Sequence, residues 1–166
     1  MLKNTLKVAL CAAAFDAAVA MAESTAPSNL AAKQQIARAG SQASMVGPAA
    51  NFTGQVRIDM LWPTDGGLNT SGALVTFEPG ARSAWHTHPV GQRLVVHSGV
   101  GLTQEWGKPI QEIRPGDVVY CPAGVKHWHG AAPTTAMTHL AVTATEADGN
   151  NVNWMEKVSD DQYSGR

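Results

Sequence analysis

All six histidines of the 166-residue chain lie between residues 86 and 139, although nothing in the composition asks them to cluster. His86 and His88 are two apart in a run that reads as strand, where alternate side chains leave the same face. Both imidazoles can then converge on one ion about 2 Å from each nitrogen. Gln92 follows the Pro89-Val90-Gly91 turn, which lets the chain fold back and aim a side-chain carbonyl oxygen at the same point. His127 arrives from a later strand. Three imidazoles and one amide oxygen form a neutral donor set that suits Mn, Fe, Co, Ni or Zn, with availability rather than affinity deciding among them. His129 has the parity of His127 and faces the same way. In the run Thr135 to Thr143, a period of two places Met137, His139, Ala141 and Thr143 on one face, apolar enough for a barrel interior. An imidazole buried there beside a cation resists protonation, so His139 reads either as a neutral proton acceptor or as a hydrogen-bonding residue behind the ligands.

The remaining candidates have structural readings. His97 has the opposite parity to Gln92, Leu94 and Val96 and belongs on an outer face. Trp85 and Trp128 each adjoin a histidine of the cluster and so face away from it, towards sheet packing or a dimer surface. Cys121 closes a strand beside Pro122 and reads as a small buried apolar residue.

The elements that must position these residues are short. From Phe52 onward, apolar or alternating runs are separated by turn signals: Gln55-Met60, Ala73-Phe77, Trp85-His88, Gln92-His97, Gly101-Glu105, Gln111-Ile113, Asp117-Cys121, His127-Gly130, Thr135-Thr143 and Val152-Val158. The breaks, among them Pro79-Gly80, Pro115-Gly116 and Pro122-Ala123-Gly124, carry chemistry that a helix interior resists. This pattern predicts an all-β antiparallel sandwich or barrel. A helix is expected from a Ser28 cap through Ile36 to Gly40, and Ser159 is placed to cap a final helical turn.

With 12 Lys plus Arg against 13 Asp plus Glu, the chain has no basic stripe for nucleic acid. Its start is different in character. Lys3 and Lys7 precede the apolar run Val8 to Phe15, and Ala20-Met21-Ala22 supplies an A-x-A cleavage site. Residues 1–22 are therefore expected to be a signal peptide, 23–50 a leader or linker, and 51–166 the barrel domain. Cleavage removes Cys11 and leaves Cys121 as the sole thiol, so no intrachain disulfide is expected. The mature protein is expected to be periplasmic or secreted, without a membrane anchor. An open antiparallel edge needs a cover, which points to a homodimer or higher homo-oligomer.

Five residues separate Gly80 from His86, three separate His88 from Gln92, and six more lead to Gly99. Gly116 is followed by five residues, then Pro122-Ala123-Gly124, two more, and His127. These segments resemble the paired signature motifs of the cupin superfamily, which implies a single-domain, double-sheet, jelly-roll-like β-barrel. Thr76-Phe77-Glu78-Pro79-Gly80, Ala84-Trp85-His86-Thr87-His88-Pro89, the block from Lys126 to Ala141, and Asn153-Trp154-Met155-Glu156 are similar to small bacterial cupins that include manganese-dependent hydroxynitrile lyases. The resemblance implies a Mn2+ site at His86, His88, Gln92 and His127, with Fe2+, Zn2+, Co2+ or Ni2+ as other occupants. It implies His139 as acid or base, and a pocket at Ala73, Val75 and Thr143, to which parity adds His129.

Two positions depart from the pattern. Gln92 stands where most metal-binding cupins carry Glu, and Ala131 where the second motif commonly ends in Asn. A neutral amide leaves the divalent charge undiminished, which favours a Lewis acid over an oxygen activator. The expected activity is cleavage of a small cyanohydrin of the mandelonitrile kind to aldehyde and cyanide, or its reverse. The alternatives are a quercetinase-like dioxygenase and a non-catalytic periplasmic binder of a small molecule.

Overall fold

Turn residues cut the chain into short strands that pair across long sequence distances. The computed structural model describes residues 33–64 and 67–166. Its strands are β1 (Met45–Val46), β2 (Phe52–Thr53), β3 (Val56–Trp62), β4 (Thr70–Phe77), β5 (Arg82–Ser83), β6 (His86–Thr87) and β7 (Gln92–Gly99). They continue as β8 (Gly101–Glu105), β9 (Gln111–Ile113), β10 (Val118–Cys121), β11 (His127–Ala131), β12 (Met137–Ala144) and β13 (Asn153–Trp154), before the helix α1 (Asp160–Ser164). One sheet runs β1-β3-β4-β12-β7-β10, and the other runs β13-β6-β11-β5-β2 with β8 on β11 and β9 on β8. Every pairing is antiparallel. This is the all-β antiparallel architecture that the alternation predicted, built as the double-sheet barrel that the resemblance implies.

Register in the first sheet lines up its inner face in rows. Ile58, Val75, His139 and Val96 form one row across β3, β4, β12 and β7. Met60, Ala73, Ala141 and Leu94 form the next. Thr143, Gln92 and Cys121 form a third across β12, β7 and β10. Directly opposed residues on antiparallel strands share a face, so these rows are contact sets. The bulge between Thr138 and His139 keeps His139 opposite Val96 and leaves His97 exposed, as its parity predicts. The first core gathers on this inner face around Phe52, Val56, Phe77, Leu94, Val96 and Met137.

The second sheet is buried on both faces at β11, where all five residues are covered. A Cβ on Gly130 would stand 2.4 Å from the Ala81 carbonyl oxygen, so only glycine lets β5 cross this closely. Trp128 of β11 joins Trp85 and Val158 in a second core, with Leu102, Ile110 and Tyr163 packed against it. Both indoles therefore serve packing. Burying about 150–250 Å² of each at roughly 25 cal/mol per Å² stabilises by about 4–6 kcal/mol apiece before entropy is charged. Arg82 fastens the C-terminal segment over this face: its Nε and Nη2 donate to the Val158 carbonyl at 3.2 and 3.1 Å, Nη2 pairs with Asp160 at 2.6 Å, and its guanidinium lies 4.6 Å from the Tyr163 ring centre. Ser159 caps α1 in a reciprocal capping box with Gln162, as its sequence predicts.

Several boundaries differ from the sequence reading. The strands β1, β2 and β5 are two residues long, too short to show alternation, and Met45–Val46 pairs with β3 from within the segment read as linker. The run Val152-Val158 is strand only at Asn153–Trp154, and Trp85-His88 only at His86–Thr87. Of the helix expected from Ser28 to Gly40, residues 33–40 form no helix and the rest lies outside the described residues, as does the segment 1–22 read as a signal peptide.

Candidate metal centre

β6 and β11 are opposed so that His86 pairs with His127, and their rings lie 4.3 Å apart. Gly91, at φ 106°, completes the turn that returns the chain from His88 into β7 and starts that strand at Gln92. His86, His88 and Gln92 then line one cavity of about 240 Å³.

Each of the three imidazoles is held from behind. The Nδ1 of His86 meets the Ala84 carbonyl at 2.9 Å, that of His127 the Val125 carbonyl at 2.9 Å, and that of His88 the Asn151 carbonyl at 2.6 Å. A carbonyl only accepts, so each Nδ1 carries the proton and each Nε2 presents its lone pair. The Gln92 Nε2 donates to the Thr143 hydroxyl at 2.9 Å, which leaves Oε1 as the free end of the amide. The Nε2 atoms of His88 and His127 and the Oε1 of Gln92 are buried with no hydrogen-bond partner. Buried acceptors left in this state cost about 1–3 kcal/mol each. These three and the Nε2 of His86, tethered in the same way, make four preoriented neutral donors that fit a divalent metal.

His129 joins them. Its ring nitrogen and those of His86 and His127 lie within 4.8 Å of one another. Its Nδ1 also lies 3.1 Å from the Nε2 of His139, close enough to share one proton, while the outer nitrogens, Nε2 of His129 and Nδ1 of His139, have no partner.

Burial governs the charge state of all five. It lowers His127 and His139 to about 4. It lowers His129 and His86 well below the usual imidazole value, helped for His129 by His139 and for His86 by His127. His88 is lowered by burial against the opposing pull of the Asn151 carbonyl and the neighbouring Gln92 side chain. The cluster is thus neutral near physiological pH, the state that ligates metal and accepts protons. Burial raises the Cys121 thiol to about 12, which leaves it inert.

The cavity is lined by His86, His88, Gln92, His129, His139, Val75 and Thr143, together with Ile58, Met60, Phe52, Ala141, Asn151, Val152 and Trp154. Ala73, placed in the pocket by resemblance, sits between Met60 and Ala141 in its row, but those two line the cavity and it does not. Ile58 and Met60 were legible from their parity with Val56. Asn151 and Trp154 were not, because they enter from a segment that returns after β12.

Residues 73–143 match the cupin domain family. Over 129 residues the chain is 59% identical to a Granulicella tundricola protein named (R)-mandelonitrile lyase, covering 78% of this chain and 98% of that one. The chain belongs to the cupin family. A solved cupin-like protein from Thermotoga maritima is 40% identical, with a TM-score of 0.68 over 80% of this cupin and 96% of that chain. A polyketide cyclase from Streptomyces resistomycificus shares the fold alone, at 17% identity and a TM-score of 0.63 over 80% of this cupin and 92% of that chain.

Proposed function

We propose that this cupin is a metal-dependent lyase that cleaves cyanohydrins of the mandelonitrile kind to aldehyde and cyanide, and runs the reverse addition. One observation carries the reading: the unpartnered donor atoms of His88 and Gln92 and the paired imidazoles His129 and His139 belong to a single cavity with an apolar wall, and His127 stands beside it against His86. The high identity to a named mandelonitrile lyase supports the same chemistry.

His86, His88, Gln92 and His127 would hold the ion, with His129 beside them. A divalent ion there supplies a Lewis acid for the substrate oxygen. Manganese(II) is our assignment, on the resemblance to manganese-dependent enzymes, and the donor set accommodates Fe, Co, Ni or Zn as well. Ile58, Met60, Val75, Ala141 and Val152 offer the substrate's aryl or alkyl group an apolar wall and keep water from it. His139 takes the hydroxyl proton when the proton it shares with His129 sits on its own Nε2, because its Nδ1 is then bare. The oxygen's electron pair forms the C=O bond, the bond to the nitrile carbon breaks, and its pair leaves on cyanide. The imidazolium then returns the proton to cyanide, so that aldehyde and hydrogen cyanide are released and the pair is restored.

The proposal extends to location and assembly. The basic start, the apolar run and the A-x-A site Ala20-Met21-Ala22 support a signal peptide and a periplasmic or secreted protein, whose mass is then expected to correspond to a start at Glu23. The exposed Val118 and Tyr120 on the edge strand β10 support a homodimer, which light scattering tests. The decisive assay is cleavage of racemic mandelonitrile by manganese-loaded protein without oxygen, followed by benzaldehyde absorbance. Turnover that stops on chelation and returns with manganese is expected. Loaded, folded protein that forms no benzaldehyde above background overturns the lyase reading, and turnover only with oxygen and a flavonol substitutes the dioxygenase.

A further inference from the structure

Gln92 is the one donor of the set whose two ends are chemically opposite. An amide presents a carbonyl oxygen in one orientation and an NH2 group in the other. Only the first ligates a cation, and the two have nearly the same shape, so packing alone selects weakly between them. With the oxygen turned to a cation, the NH2 group points the other way and needs a buried partner whose lone pair receives it.

Thr143 is that partner. It lies directly opposite Gln92 in the β12–β7 register, and opposed residues on antiparallel strands face the same way. Its Oγ1 receives the Gln92 Nε2 at 2.9 Å, both side chains are buried, and the Oε1 at the other end of the amide has no hydrogen-bond partner. Both residues line the cavity that holds His86 and His88. We infer that Thr143 is a positioning residue for metal binding: its hydroxyl holds the Gln92 amide in the orientation that presents oxygen to the ion. This rests on the metal reading of the site and is independent of which reaction the site performs.

The distinction from a merely structural threonine lies in what replaces Gln92. A glutamate that loses the hydroxyl can turn either oxygen, or both, to the ion, whereas an amide that loses it keeps a buried NH2 group with no acceptor. The cost of losing the Thr143 hydroxyl therefore depends on whether position 92 carries an amide or a carboxylate.

The experiment measures the manganese dissociation constant by chelator competition for the full chain and for Thr143→Val, Thr143→Ser, Gln92→Glu and the double variant Gln92→Glu with Thr143→Val. Thr143→Val, which keeps the shape and removes the acceptor, is expected to weaken binding about 10–100-fold, the range for partners that orient a metal ligand. Thr143→Ser restores the hydroxyl and is expected to bind within about threefold of the natural chain, well inside that range. In the Gln92→Glu background, Thr143→Val is expected to cost no more than about threefold for the same reason. Equal affinity of Thr143→Val and the natural chain overturns the inference, as does an equal loss in both backgrounds. If no variant and no natural protein binds manganese, the metal reading itself fails. Should Thr143→Val not fold, Thr143→Ala replaces it in both backgrounds, with melting of the metal-free forms as the check.

Discussion

The three imidazoles tethered to backbone carbonyls, His86, His88 and His127, have one tautomer available, because a carbonyl cannot donate a proton back. The pair His129 and His139 has two. The proton between them can sit on either ring, and in each arrangement one outer nitrogen is bare while the other carries hydrogen. All five rings share a buried, neutral environment, so burial does not separate their roles. The partner on the second nitrogen does. A fixed lone pair is what a cation needs, and an exchangeable proton is what a reacting hydroxyl needs.

The sharpest way to break this comparison is to remove one ring from each group. His127→Ala is expected to abolish metal content, measured by elemental analysis of the purified protein, and turnover with it. His139→Ala is expected to retain metal and lose about 10²–10⁴-fold in kcat, the usual worth of a positioned acid–base group. Equal metal loss in both variants would dissolve the two groups into one.

Acid acts on both groups together and sharpens what they share. His127 and His139 titrate near 4 in the folded protein, against an unperturbed 6.5. Between these values the unfolded chain binds more protons than the folded one, so stability is complete above about 6.5 and is lost as pH falls through about 4. Each group contributes a slope of about 1.4 kcal/mol per pH unit within that window. Urea melts of the metal-free protein at intervals of pH should show the decline, and a flat profile would contradict the depressed values. The smallest effect belongs to His97, which lies outside both groups on the exposed side of β7. His97→Ala is expected to leave metal content and turnover unchanged and to move stability by no more than about 0.5 kcal/mol.

The sequence made the long strands and their faces legible because alternation over five or more residues reports which side is buried. Alternation of this kind runs through β7 and β12, which bear Gln92 and His139, and parity within the five-residue β11 sets His127 with His129, whereas His86 sits in a two-residue strand and His88 beyond its end. Two-residue strands such as β2 and β5 carry no period, and β5 meets β11 at the close crossing that Gly130 permits. The cavity's far wall was hidden for a third reason. Phe52, Asn151 and Trp154 meet the histidines through the curl of the sheets and the return of the chain after β12, and no local pattern encodes such a meeting.

The carbonyl of Asn151 reaches His88 from outside the segment that bears the histidines. Anyone transplanting residues 86 to 143 into another scaffold would carry every nitrogen donor across and leave one of them without its anchor. The tail after β12 is thus part of the smallest transferable unit, and trimming it for crystallisation or fusion would loosen a ligand while every ligand remained in the chain.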